Sequence, residues 1–423
     1  MTVPDGDPRL IPRRTFTLSA LAASMSPSPA ARAAPPRTPD FGPCSGFIAA
    51  SPDHRRVWTR GEAPVGRLFR PDSPFRVASV SKMAAASVIA PLAASLPGGL
   101  DADVSDRLGF RLRHPGWPET PIRLRHLLSH TSGLRNGPSY PVPAGRPLSA
   151  ALVPGGVNYD QGGWFGPAEL APGVRFSYAD VNYAVLAQWA ERVTGQRFDH
   201  LMRDRLLGPA GADAGYNWSG VSQAARLRAA PGLRQQGGGW APQVDAAPPP
   251  APRAAILAAP ETPGLTDAGI APGENGFAFS PQGGLRLSLD DMDGLARRFL
   301  ASPGPFRAME TPAWRIGPEG ADNEGGVMLA YGLGVQVLLG RRGPAGDAFF
   351  GPGSADWRGH LGDAYGWMTG LFWNRRTGES LVWALNGMPE SDRPPGRRTA
   401  LTAPEEDLIA AGLAALGRKT GPG

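Results

Sequence analysis

The stretch Phe75-Arg76-Val77-Ala78-Ser79-Val80-Ser81-Lys82-Met83-Ala84-Ala85-Ala86-Ser87 decides how the rest of the chain is read. A short apolar approach ends in a hydroxyl, and an apolar, helix-forming run follows. A helix beginning near Ser79 places Ser79 and Lys82 at i and i+3, on one face and within reach of each other. The serine then stands at the helix N-terminus, where backbone N–H groups and the dipole favour negative charge. The same positive end, together with desolvation, disfavours an ammonium and leaves part of Lys82 neutral, as a base.

Composition strengthens this reading. Lysine and arginine together number 43, yet the lysines are just Lys82 and Lys419. Arginine stays protonated in a protein, whereas a buried lysine can lose its proton. A chain that uses arginine wherever a plain cation will serve keeps a lysine three residues after this serine. The plainer alternative is a lysine whose stem packs on a core helix while its head reaches water.

At 423 residues the chain can bury a large core, with two lobes expected. The formal net charge of +6 is spread over single arginines. There are no basic runs with interleaved aromatics, which argues against nucleic acid as a partner. Gly 57 and Pro 47 imply many turns and long loops, while 41% hydrophobic residues still support a globular fold. Cys44 is the single cysteine, so no intramolecular disulfide can form. No apolar run approaches the length needed to span a membrane. Near the start, Arg13-Arg14-Thr15-Phe16 precedes the mildly apolar Leu18–Ala23, and Ala31-Arg32-Ala33 offers a cleavage site. Residues 1–33 resemble a twin-arginine export signal, which implies a periplasmic or secreted protein.

Short strands are expected over 44–60 and 66–77. The helix from Ser79 is apolar on all sides through Ala90, so it belongs at the centre of the protein. Pro91 and Leu96-Pro97-Gly98-Gly99 are expected to end or kink it. To about residue 210 the pattern is helical pieces joined by polar turns, including 122–128 and 182–192. Residues 135–168 and 229–283 are rich in Gly and Pro, and the second is long enough to form a lid or a substrate wall. A helix over 289–300 follows, then strands over 327–339, a hairpin over 366–386 and a closing helix over 405–416. The order implies an α+β fold: one sheet lobe from 44–90 and 325–418, and a mostly helical lobe, 91–324, inserted between them.

Four more stretches carry candidate chemistry. In Leu127-Leu128-Ser129-His130-Thr131-Ser132-Gly133-Leu134, His130 follows His126 at i, i+4. That spacing suits a metal-binding helix, but no acidic residue stands between them, so a helix end packed in the core is favoured and no metal is expected. In Pro172-Gly173-Val174-Arg175-Phe176-Ser177-Tyr178-Ala179-Asp180, Tyr178 can share proton work with Lys82, since a phenol beside a cation ionises more easily. Ser280-Pro281-Gln282-Gly283-Gly284-Leu285 reads as a tight turn ahead of a helix. In Arg358-Gly359-His360-Leu361-Gly362-Asp363, glycines flank a histidine on a strand and allow close backbone approach.

Together these stretches resemble the serine β-lactamase and penicillin-binding-protein-like superfamily. The resemblance is to the class C-type branch, which includes serine esterases and D-amino-acid-specific peptidases. S-x-x-K, H-T-S-G-L, P-G-x-x-F-x-Y, S-P-x-G-G-L and H-x-G occur in the family's order over roughly residues 45–415. The resemblance implies a β-lactamase/transpeptidase-like fold, an antiparallel sheet flanked by helices with an inserted helical lobe. It implies Ser79 as nucleophile, Lys82 as its lysine, and Tyr178 as the first residue of the Y-x-N motif. His360 and Gly362 would match the third motif, with His360 orienting substrate or polarising the site, and the Asp363 backbone N–H would join that of Ser79 around an oxyanion. No metal or organic cofactor is implied, and the partner would be a small-molecule or peptide substrate.

Two departures bear on the substrate. Y-x-N is Tyr178-Ala179-Asp180 here, and an ionised aspartate cannot donate to a carbonyl as asparagine does. Either the substrate offers a donor, or Asp180 is protonated, or Asn182 supplies the amide. His360 stands where lactamases carry a lysine that holds a carboxylate. The Lys419-Thr420-Gly421 sequence spells that K-T-G, but after the final helix, and reads as coincidence. The reaction class expected is serine acyl transfer on an ester or amide. The alternatives are a true β-lactamase or D,D-carboxypeptidase, and a non-catalytic sensor of β-lactams or cell-wall fragments.

Overall fold

The computed structural model describes residues 42–63, 66–143, 146–236, 239–243, 271–301, 303–317, 323–389 and 393–418. The export-signal reading of 1–33, the Lys419-Thr420-Gly421 tail and residues 244–270 of the long loop lie outside the described residues.

Antiparallel strands from both ends of the chain form one nine-stranded sheet. The N-terminal part supplies β1 (Cys44–Ala50), β2 (Arg55–Ala63) and β3 (Arg67–Leu68). The C-terminal part supplies β4 (Trp314–Arg315), β5 (Ala330–Tyr331), β6 (Gln336–Val337), β7 (Trp357–Ala364), β8 (Trp367–Asn374) and β9 (Glu379–Leu385). Their spatial order is β3-β2-β1-β9-β8-β7-β6-β5-β4. The first and last strands therefore pair at the centre, with Phe47 opposite Trp383 and Ile48 opposite Val382.

Both faces of this sheet are covered, and the period-2 alternation of side chains shows how. Phe47, Ala49, Phe372, Leu381, Trp383 and Leu385 pack with Leu408, Ile409 and Leu413 of the helix Ala403–Ala415. Ile48, Leu371, Trp373, Val382 and Ala384 point the other way, into the larger core with Leu289, Met292 and Phe299 of the helix Leu289–Ala301. A Thr402/Glu405 capping box starts the helix that closes the chain.

We label α1 the helix Val80–Ala94. It is buried over almost its whole length, as its unbroken apolar run requires, and it continues through Pro91 to Ala94 rather than ending there. The helix Val181–Thr194, here α2, packs beside it. A small sheet joins residues 75–76, 215–216 and 285–287 and fixes the approach to Ser79. Within the 229–283 stretch, residues 233–236 and 239–242 pair as a hairpin.

Candidate active site

Ser79 is the N-cap of α1, and Ala78 before it holds a left-handed φ of 49°. His130, Ser280 and Tyr365 also carry positive φ, at 56°, 49° and 55°. For residues other than glycine such conformations cost about 1–3 kcal/mol and cluster where backbone must be held against its preference.

Lys82 is wholly buried and three acceptors surround its Nζ: Ser79 Oγ at 2.9 Å, the Gln282 carbonyl at 3.0 Å and Asp180 Oδ1 at 2.6 Å. That is one acceptor for each N–H of an ammonium. The Tyr178 ring lies against the same Nζ, 4.7 Å from its centroid, so the lysine meets the face of this ring. The Tyr178 hydroxyl is buried, with the Ser79 side chain beside it. Burial first, then the Asp180 carboxylate, push its pKa well above the ordinary tyrosine value; Ser79 beside it acts the other way. Tyr178 is thus a neutral phenol, which corrects the expectation that a neighbouring cation would ionise it: burial and the Asp180 carboxylate both oppose the phenolate.

Asp180 caps α2 and its carboxylate is shared. Oδ2 accepts from the Tyr140 hydroxyl at 2.8 Å and, more weakly, from Asn136 Nδ2 at 3.4 Å. Asn182 does not supply the missing amide. It is fully buried, with Oδ1 accepting from Ser132 at 2.6 Å and Nδ2 donating to His130 Nδ1 at 3.0 Å. His130 Nδ1 also accepts from the Ala179 N–H at 3.1 Å. The role of His130 is therefore to pin the Tyr178–Asp180 turn. The metal-helix alternative fails geometrically: the helix Leu124–Leu128 ends before His130, whose left-handed backbone turns it off the His126 face.

The opposite wall is β7. The short β6 pairs with Arg358 and Gly359, so among the described residues the outer edge of β7 from His360 onward has no strand partner and lies toward the start of α1. Gly362 makes this approach possible: a Cβ there would lie 2.3 Å from both the Val77 carbonyl oxygen and Thr369 Oγ1. Thr369 Oγ1 also donates to that carbonyl at 2.9 Å, tying β8 to the loop before Ser79. Gly362→Ala is expected to lose about 1–3 kcal/mol of stability from overpacking. It should also slow acylation of Ser79; urea unfolding and the rate of fluorophosphonate labelling are the measurements. Asp363 sits on the same strand with its side chain ion-paired to Arg393.

His360 holds its ring beside those of Tyr178 and Tyr331, with centroids 6.3 Å and 5.7 Å away. Its ring is fully buried; Nδ1–H donates to the Leu361 carbonyl, so Nε2 accepts from the Tyr331 hydroxyl at 2.8 Å. Burial, then Lys82, hold its pKa down to about 3. The role that the resemblance gives His360, orienting substrate or polarising the site, falls on a ring held by the Tyr331 hydroxyl and the Leu361 carbonyl. This histidine binds its proton less readily folded than unfolded, so stability falls as pH drops from about 6.5 toward 3. Glu191 and Glu405, both raised to about 7, act in the opposite sense between about 4.5 and 7. The His360 contribution therefore shows as a difference: His360→Asn should flatten the acid-side loss, read by urea titration at several pH values.

The sequence reading left Tyr140, Asn136, Gln282 and Tyr331 out of the site. Tyr140 stands in a Gly/Pro-rich excursion without periodicity. Gln282 lies in a quoted motif but works partly through its carbonyl, which no side-chain pattern signals.

A serine hydrogen-bonded to a buried lysine, at a helix N-terminus beside a sheet edge, is an arrangement that can support nucleophilic acyl transfer. A sequence model of the Beta-lactamase family matches residues 45–403, and the chain belongs to that family of serine hydrolases. Penicillin-binding protein 4 of Amycolatopsis lactamdurans is 31% identical over 141 residues, covering 33% of this chain and 35% of that protein. The match thus spans about a third of that relative's length. Among solved structures, a β-lactamase/D-alanine carboxypeptidase from Yersinia pestis superposes with a TM-score of 0.60 at 18% identity, covering 90% of this chain and 94% of that one. A D-amino acid amidase from Ochrobactrum anthropi SV3, complexed with D-phenylalanine, gives 0.59 at 19% identity, covering 89% and 94%. The fold is the one the sequence resemblance implied.

Proposed function

We propose that the protein cleaves an ester or amide through an acyl-enzyme formed on Ser79. The observation that carries this reading is the 2.9 Å contact between Lys82 Nζ and Ser79 Oγ at the start of a buried helix. Lys82 acts in its neutral form, while Asp180, whose Oδ1 lies 2.6 Å from Nζ, stays a carboxylate. The neutral amine then takes the Ser79 proton as Oγ attacks the carbonyl. Backbone N–H groups of Ser79 and Asp363 receive the oxyanion, each such donor lowering the barrier by about 2.7–4 kcal/mol. Tyr178, a neutral phenol, donates to the leaving group and is reprotonated through Lys82. Water then releases the acyl group by the reverse sequence.

The test is treatment with a fluorophosphonate, with the adduct located by mass. An adduct on Ser79 is expected; labelling elsewhere would end this reading.

A second reading, hydrolysis of β-lactams or of D-alanyl-D-alanine, has the family in its favour. Against it, the motif position that normally holds a cation is His360, buried and neutral at pH 7. A chromogenic cephalosporin set against a p-nitrophenyl ester separates the two, and the first reading expects the ester to be turned over faster. The twin-arginine-like residues 1–33 support a periplasmic or secreted enzyme, and the mass of the mature protein tests that.

A further inference from the structure

The wall beside Ser79 is built from acceptors. Asp180 presents a carboxylate that is 25% exposed. Its partners are Lys82 on Oδ1 and Tyr140 and Asn136 on Oδ2, and a carboxylate has about four lone-pair sites. Tyr140 has one hydroxyl proton and gives it to Asp180, which can only accept. Toward Gln282 the Tyr140 oxygen must therefore accept, which fixes the amide: Nε2 donates to Tyr140 at 3.2 Å and Oε1 is left over. Gln282 is 8% exposed, and Oε1 is buried with no hydrogen-bond partner. The Gln282 backbone carbonyl, an acceptor too, already holds Lys82. A wall with an asparagine at position 180 would offer both a donor and an acceptor. This one offers an anion and an orphan amide oxygen, and a buried acceptor left unpaired is costly until a donor arrives.

We infer that Asp180 and Gln282 form a receptor for a protonated amine on the acyl side of the substrate, so that the substrate is an amino-acid ester or amide with its amine free. An ammonium brings three donors and one positive charge, which matches the open lone pair on the Asp180 carboxylate and Gln282 Oε1. It also decides among the ways the departure from Y-x-N could be met: Asn182 is committed to Ser132 and His130, and Asp180 is ion-paired, so the donor comes from the substrate. A neutral N-acyl group has one N–H and no charge, and its added carbonyl would face this row of acceptors. The inference rests on Ser79 as nucleophile.

The experiment compares kcat/KM of the full chain on the p-nitroanilides of D- and L-alanine with their N-acetyl derivatives. The free amines are expected to be favoured by roughly 10- to 100-fold, the weight of one or two hydrogen bonds to a charged group. Asp180→Asn, neutral and of the same shape, should erase that ratio, chiefly by raising KM for the free amines. Gln282→Met, which removes the orphan oxygen while keeping the volume, should reduce it in the same direction. Fluorophosphonate titration of Ser79 counts folded sites in each variant. If the anilides are not turned over, the alaninamides and N-acetylalaninamides are read as protection of Ser79 from labelling. An equal response to both members of each pair, a preference for the N-acetyl form, or an equal loss on both in Asp180→Asn overturns the receptor. If wild-type Ser79 takes no label at all, the serine reading itself has failed.

Discussion

Ser79→Ala is expected to abolish the fluorophosphonate adduct and to lower kcat/KM by roughly 10⁵- to 10⁶-fold, as loss of a covalent nucleophile does in serine hydrolases generally. The fold should survive, because Ser79 is the cap residue of α1 and its side chain makes no capping hydrogen bond. What the variant loses is the atom at 2.9 Å from Lys82 Nζ. Three acceptors around Nζ become two, Asp180 and Gln282, so the lysine keeps its ion pair and its place. Circular dichroism should match wild type while turnover disappears. Activity within tenfold of wild type would remove Ser79 from the chemistry.

Lys82→Arg separates charge from proton transfer. Arginine keeps a cation beside Asp180 but cannot be deprotonated, so it cannot accept the Ser79 proton. A loss of about 10²- to 10⁴-fold in kcat is expected, the usual weight of a positioned base. Lys82→Met, which keeps the apolar stem, is the companion variant; it fits the site without the added bulk of a guanidinium and leaves Asp180 without its cation. If Lys82→Arg retained activity and Lys82→Met did not, the lysine would be a counter-ion for Asp180 and not a base. Single-turnover acylation rates with a p-nitrophenyl ester make the comparison, since they isolate the step in which the proton moves.

The centre of the site was legible in the sequence because its chemistry leaves local marks. A lysine kept among arginines, a serine three residues before it and an apolar helix around both are all carried by adjacent residues. The strand hairpin at 366–386 and the terminal helix were legible from alternation and from apolar spacing. The line of the chain past Pro91 was not: a proline in the last turn of a buried helix is tolerated when packing on α2 and the core holds the backbone. His360 shows the limit more sharply. Its strand and flanking glycines could be read, but the direction of its ring depends on Tyr331, a residue 29 positions away that meets it only across the folded sheet. Tyr140 and Gln282 lie 142 positions apart yet bond directly, and Tyr140 carries that link on to Asp180. Such long-range polar contacts have no period and no composition, so they appear only with the fold.

The pairing of β1 with β9 carries a consequence for how the enzyme is made. Cys44 and Asn386 meet although 342 residues separate them. In equilibrium terms so long a closure adds little, since each doubling of length costs about 0.6 kcal/mol. In time it is decisive. During synthesis β1 waits with its inner edge open until the last hairpin has left the ribosome, and an open apolar edge recruits other chains. A chain stopped before residue 379 would lack the middle of its sheet, not a dispensable margin. Truncation from that end should therefore yield aggregates and no smaller working enzyme, even though every residue around Ser79 and Lys82 would still be present.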